Sequence, residues 1–226
     1  MAGYYPIFVD LNDRPCVVVG GGEVAERKIK GLLKSNARVT VVAPKLSSGI
    51  AALGRAKKIV ILKRKYKRGD LADALVAIGA SDDAKVNLAV HREAVLRRIS
   101  VNIVDEPGLC SFIVPSVIRR GDLVIAISTS GGAPALAKKI RLEIEALIGK
   151  EYGQLLKIIG PVRRNLLKKG VNRVKKERVI KELLDSSMLA NLKKGPIKDI
   201  RARIENITAG LFAPEKKDKG PKKSKR

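Results

Sequence analysis

In the first hundred residues the apolar positions fall into short runs, separated by stretches in which apolar side chains recur at helical spacing. Cys16–Val19, Val39–Val42, Ile59–Leu62, Leu75–Ala80 and Val101–Val104 are runs of strand length, rich in valine and isoleucine. Between them, Val24, Ile29, Leu32 and Leu33 predict a helix ended by Ser35-Asn36, and Leu46–Leu53 predicts a short second one. Val86–Arg98 predicts a third helix, with Leu88, Val90, Val95 and Leu96 mostly inward. Unbroken apolar strands alternating with helices are the pattern of a parallel sheet covered on both faces, so a doubly wound α/β fold is expected.

Past Pro107-Gly108 the pattern changes. Ser111–Ile118 and Leu123–Ser128 read as two strands joined by the polar turn Arg119-Arg120-Gly121-Asp122, hence an antiparallel hairpin. Thr129-Ser130-Gly131-Gly132 opens onto a helix starting near Pro134, with Leu136, Ile140, Ile144 and Leu147 on one face. A hairpin and one amphipathic helix bury too little of themselves, so this segment is expected to pack on a second copy of the chain. Residues 151–210 read as helical, interrupted at Pro161, Gly170 and Gly195-Pro196, and Pro214–Arg226 carries seven Lys or Arg against two acidic residues. The expected organisation is a nucleotide-binding domain over 1–112, a dimerisation segment over 113–147, a small helical domain over 148–212 and a disordered basic tail over 213–226.

Composition narrows the partners. A chain of 226 residues, 45% hydrophobic, can hold one full core and a smaller one. Aromatic residues make up 3% of it and Trp is absent, which argues against a platform for stacking single-stranded bases. The formal net charge of +25, from 47 Lys and Arg against 22 Asp and Glu, leaves open a nucleic acid, a small polyanion, or the basic habit of proteins from hot environments. Cys16 and Cys110 lie far apart with no C-x-x-C and no secretory signal ahead of them, and no apolar run approaches the ~20 residues that span a bilayer. Reduced thiols and a soluble cytoplasmic protein are expected.

Two places carry chemistry. The Cys16–Val19 run leads directly into Gly20-Gly21-Gly22-Glu23-Val24-Ala25, which fits G-x-G-x-x-G/A with a strand before it and a helix after. Gly20 permits the tight turn, Gly22 lets backbone approach a pyrophosphate, Ala25 allows close packing of helix on strand, and the helix start offers N–H groups to phosphates. The second strand ends Val42-Ala43-Pro44-Lys45 with no acid to bind a ribose 2′-hydroxyl, which leaves NAD and NADP both open. The other place is Asp105, at the carboxyl end of the fifth strand, where open α/β sheets bind ligands, although aspartates also begin turns there. Ser81-Asp82-Asp83 ends the fourth strand and could meet a cofactor, cap the next helix, or both. His91, alone inside a helix, reads as structural or surface and forms no metal cluster.

Tyr5-Pro6-Ile7-Phe8, Val18–Lys28, Val39–Pro44, Ala80–Asp83, Val101–Pro107, Ser111–Ser116 and Ser128–Pro134 together resemble the siroheme synthase dehydrogenase and ferrochelatase family, in its stand-alone precorrin-2 dehydrogenase form. The resemblance covers about residues 4–150 and weakens beyond. It implies a Rossmann-like domain that oxidises precorrin-2 to sirohydrochlorin with NAD, an intertwined homodimer through the hairpin region and, in some members, insertion of Fe2+ to give siroheme without a resident metal. It puts the essential aspartate at Asp105 and the dinucleotide contacts at Gly22, Glu23, Val24, Pro44, Lys45 and Ser81; the expected cofactor set adds Gly20, Asp82 and Val104, and the expected substrate set is Ser111, Phe112, Ser128 and Thr129. Asp105 would be the general base, and the excess cations would suit a tetrapyrrole with eight carboxylates. The rival expectations are a nucleotide-binding regulatory or nucleic-acid-associated module, and a small-substrate reductase, the latter disfavoured because no Tyr-x-x-x-Lys occurs.

Overall fold

The computed structural model of the chain describes residues 3–194. Gly195-Pro196, the remainder of the expected helical domain and the basic tail lie outside the described residues. Strands β1 (Pro15–Val19), β2 (Arg38–Val42), β3 (Val60–Leu62), β4 (Val76–Gly79) and β5 (Ser100–Ile103) form one sheet, parallel throughout, in the order β3-β2-β1-β4-β5. Helices α1 (Glu23–Leu33), α2 (Ser48–Arg55) and α3 (Ala84–Arg97) connect them. The doubly wound expectation holds.

The two faces follow from the period of two along a strand. Cys16, Val18, Val39, Val41, Val76 and Ile78 pack with Ala25, Ile29, Leu32 and Ile50 of α1 and α2, whereas Val17, Val19, Val42, Ala77, Val101 and Ile103 pack with Val90 and Ala94 of α3. Register aligns the strand ends: Val42 stands opposite Leu62, Val19 opposite both Val42 and Gly79, and Gly79 opposite Ile103. The loops leaving that row therefore share one edge, and chain order reverses between β1 and β4, the switch point where such sheets bind ligands.

Helix α3 corrects one expectation. Val95 and Leu96 face solvent, and the inward face carries Asn87, Val90, Glu93 and Ala94. Two polar side chains occupy that face because each meets backbone that the neighbouring loops leave unpaired. Glu93 accepts from the Tyr66 hydroxyl, the Gly69 N–H and Arg97 Nε. Burial pushes its carboxyl up, but those donors outweigh burial and hold it below the usual carboxylate range.

The described chain divides into two compact units, one running to Pro115 and including Ser128–Pro134, the other made of Ser116–Ile127 and the chain from Ala135 on. In the second unit β6 (Ser116–Arg120) and β7 (Leu123–Ile127) form the hairpin. Its turn is shorter than the predicted four residues: Arg120 pairs with Leu123, leaving Gly121 and Asp122, and Gly121 has φ +63°. The first strand starts only at Ser116, because Ser111 is bonded to β5 and Pro115 cannot donate to a ladder.

Helices α4 (Pro134–Leu147), α5 (Lys150–Lys168), α6 (Arg173–Leu183) and α7 (Ser186–Lys194) follow. The hairpin finds part of its cover in its own chain. A side chain on Gly153 of α5 would collide with the Arg120 carbonyl, and Arg120 donates to the carbonyls of Ile148 and Glu145 and to the Glu145 carboxylate. Pro161 does not end α5 as expected; the helix runs through it, held by Leu155, Ile159 and Leu166 packed against Val179, Leu183, Met188 and Leu192. That burial outweighs one missing N–H.

Candidate active site at the carboxyl edge of the sheet

The turn after β1 is fixed from three sides. Gly20 has φ +133°, donates its N–H to the Val42 carbonyl at 3.0 Å, and has the Ala80 carbonyl where a Cβ would stand. A Cβ on Gly21 would strike the Lys45 carbonyl, while the Gly21 carbonyl itself accepts from Ser47 N–H at 2.7 Å. Gly22 differs: nothing lies within 4 Å of its Cβ position. It precedes α1 without capping it by a side chain, so no side-chain cap occupies the first-turn N–H groups at the switch point. Ala25 is fully buried one turn on. These glycines divide the work, two packed against backbone and one leaving room.

A second brace runs behind the turn. The Ser47 hydroxyl donates to Glu26 at 2.6 Å and accepts from Ile50 N–H at the start of α2, and Lys30 also meets Glu26 at 2.6 Å. Lys30 first, then Ser47, hold the Glu26 carboxyl below its usual range. Pro44 and Lys45 lie exposed between β2 and this brace. Neither Gly21, Glu26 nor Ser47 stands out in the sequence, because the contacts that join the glycine turn to Lys45 and Ser47, and Glu26 to Ser47, cross twenty residues or more.

At the end of β4 the Ser81 backbone is clamped by Asn87, whose amide oxygen accepts from Ser81 N–H at 3.1 Å while its amide nitrogen donates to the Ser81 carbonyl at 2.9 Å. Asp83 caps α3 by accepting from Lys85 N–H, and Ser81 Oγ accepts from Asp83 N–H. The capping alternative is thus satisfied by Asp83, and Asp82 is left exposed at the crevice edge.

Beyond β5, Val104 donates its N–H to the Gly79 carbonyl at 2.9 Å, which carries the row one residue further. Asp105 then turns the chain with φ +61°, a left-handed conformation that aspartate tolerates better than most residues, and its side chain is exposed. The chain returns along β5. Ser111 donates its N–H to the Val101 carbonyl, and its hydroxyl accepts from the Val101 N–H at 2.8 Å. The Phe112 carbonyl accepts from Asn102 Nδ2. Of the expected substrate contacts, Ser111 is therefore committed to holding β5, and Phe112 packs with the α1 and α2 core.

Cys110 Sγ takes the Ile103 N–H, and His91 Nδ1 donates to the Leu109 carbonyl at 2.9 Å, which gives the lone histidine a structural role. In Ser128–Pro134, Ser128 Oγ accepts from Ser130 N–H and Thr129 Oγ1 from Ala133 N–H. That loop belongs to the same unit as Asp105. Among the described residues no group of three or more His, Cys, Asp and Glu could hold a metal, and no helix is long and apolar enough to cross a membrane.

A family model described as putative NAD(P)-binding matches residues 7–116, and one described as sirohaem biosynthesis protein central matches residues 120–147. A siroheme synthase of Methylobacillus flagellatus is 49% identical over 150 residues, covering 66% of this chain and 32% of that protein. One from Vesicomyosocius okutanii is 36% identical over 203 residues, covering 89% of this chain and 43% of the relative. The chain thus spans less than half the length of these curated relatives. Among solved structures, one titled SirC, precorrin-2 dehydrogenase, matches 90% of this chain and 100% of its own with a TM-score of 0.73 and 28% identity. A glycine turn at the switch point, the strand-end aspartate and these matches place the chain in the siroheme synthase dehydrogenase and ferrochelatase family.

Proposed function

We propose that this chain is an NAD-dependent precorrin-2 dehydrogenase, with Asp105 as the catalytic carboxylate. The observation that carries the reading is the alignment of the open Gly22 position, the uncapped α1 start and Asp105 along one edge of one sheet. The cofactor fits what is present: the α1 N–H groups of Glu23 and Val24 and the cradle at Gly20 and Gly22 would receive its pyrophosphate, and Pro44 and Lys45 its adenosine side. Ser81, Asp82 and Val104 would line the path toward the nicotinamide. When bound, NAD supplies the hydride acceptor.

Asp105 does the rest of the chemistry. As a hydride leaves a ring carbon the macrocycle becomes more acidic, and an exposed carboxylate at the strand end takes the accompanying proton. Ser128 and Thr129 lie on the loop that shares a unit with Asp105, which supports them as the substrate-facing hydroxyls. The same carboxylate could receive pyrrole protons during entry of Fe2+, which is then a substrate and not a resident metal. A homodimer through residues 113–147 is part of the proposal, supported by Leu136, Leu142 and Leu147 of α4, all exposed. The residues around 148–212 would form the helical part, and the free thiols of Cys16 and Cys110 suit a reducing cytoplasmic setting.

The test is anaerobic incubation with precorrin-2 and NAD, followed by absorbance. Sirohydrochlorin is expected to form, and Asp105→Asn should lower turnover by about 10²–10⁴ with NAD affinity unchanged. No turnover by the parent protein overturns the dehydrogenase reading, and full turnover by the Asn variant removes Asp105 from the mechanism.

A further inference from the structure

Of the many cations in this chain, Lys28 stands in an unusual place. It projects from α1 toward β5, where its ammonium donates to Asn102 Oδ1 at 3.3 Å, and its side chain is half-buried. Asn102 is itself buried, and its orientation is set: Nδ2 donates to the Phe112 carbonyl at 3.1 Å and to Cys110 Sγ, so Oδ1 must face the lysine. An ammonium has three donors, and this one meets a single neutral acceptor in the described structure, with no carboxylate at ion-pair distance. Lys30, Arg64, Arg97 and Arg120 all have carboxylate partners.

Burial, with a smaller contribution from Arg27, holds the Lys28 ammonium below the ordinary lysine range, while Cys110 and Asp105 act in the opposite direction. Asp105 is therefore within electrostatic reach, and Lys28 belongs to the same strand end as the proposed base. A half-buried cation without an anion carries a standing desolvation penalty that an arriving carboxylate would relieve. A lysine kept only for packing has no need of its charge.

We propose that Lys28, oriented by Asn102, is a substrate-binding residue that grips one carboxylate of the tetrapyrrole beside Asp105. The inference rests on the dehydrogenase reading for its ligand, and it names which cation holds the polyanion. It also orients the ring, because one fixed grip beside the base selects which edge of the macrocycle meets Asp105.

The experiment compares the parent with Lys28→Met, which keeps the aliphatic stem, and Lys28→Arg, which keeps the charge, after thermal melts confirm that they fold. With precorrin-2 and NAD, the Met variant should raise the KM for precorrin-2 about tenfold or more, as for a lost hydrogen bond to a charged group. The KM for NAD should stay within about twofold, and Arg should restore part of the loss. A Met variant with parental KM for precorrin-2, or one that weakens NAD to the same degree, overturns the proposal. Should the parent not turn over precorrin-2, the dehydrogenase reading fails separately, and equilibrium binding of uroporphyrin, an octacarboxylate tetrapyrrole, decides the role of Lys28. Binding by the parent that falls in the Met variant supports the grip; equal binding, or none by the parent, overturns it. Lys28→Gln serves in place of Met if that variant does not fold.

Discussion

Helices α3 and α4 are both 14 residues long, yet they meet the protein in opposite ways. The inward face of α3 is partly polar, with Asn87 and Glu93 buried beside Val90 and Ala94, and each polar group is fully engaged. Only Ala137 is buried on α4, and Leu147 is 72% exposed. Polarity thus misidentifies the settled helix. What makes α3 finished is that every buried atom has a partner, and what leaves α4 unfinished is an apolar stripe without a cover.

The largest effect should come from breaking the finished side. Glu93→Ala leaves the Arg97 guanidinium, the Tyr66 hydroxyl and the Gly69 N–H without their shared acceptor, and should lower the unfolding free energy by about 3 kcal/mol. Urea denaturation measures it; a loss under about 1 kcal/mol would mean that these donors find water instead. On the unfinished side, Leu147→Lys should barely change the stability of one chain but weaken a homodimer by roughly 2 kcal/mol, the worth of one buried leucine. Light scattering should give the parent about twice the 24.5 kDa chain mass and the variant a mass falling toward one chain on dilution. A parent that stays single at micromolar concentration removes the dimer from the proposal.

The smallest effect sharpens the contrast through pH. Because the folded-state pKa of Glu93 is lowered, its stabilisation is complete above the ordinary carboxylate range and is lost as pH falls through the folded value. Burial and then Glu93 push the Tyr66 hydroxyl up, so its contribution is present below the ordinary tyrosine value and lost as pH rises through the folded one. Tyr66→Phe should therefore cost about 1 kcal/mol near neutrality and flatten both limbs of the stability profile. Parallel curves for the two proteins would break this assignment.

The strands, the glycine turn and the strand-end position of Asp105 are legible because each is a local pattern: an apolar run, a G-x-G spacing, an acid after a strand. The inner face of α3 is not, since Asn87 and Glu93, two of its four members, are polar and leave no apolar spacing to mark it. Asn87, Val90 and Ala94 keep helical spacing, and admitting a polar member turns the helix correctly and exposes Val95 and Leu96. Pro161 misled for the converse reason, as its effect on a helix depends on the side chains packed around it. Lys28 carries no local mark among 47 cations, because its surroundings are made by Asn102, 74 residues further on. The hydroxyl of Ser111 likewise gained its role from Val101, a pairing that no spacing announces.

The chain passes between its two units at Pro115, at Ser128 and again at Pro134. A ribosome releasing it from the amino end cannot complete the first unit until Pro134 has emerged, by which time the hairpin strands of the second are already outside the tunnel. The first unit is thus complete, with the hairpin strands attached to it, before the helices of the second have emerged. A single protease cut at the Ser128 crossing would likewise yield two fragments that each carry part of both units, a nick that divides both at once.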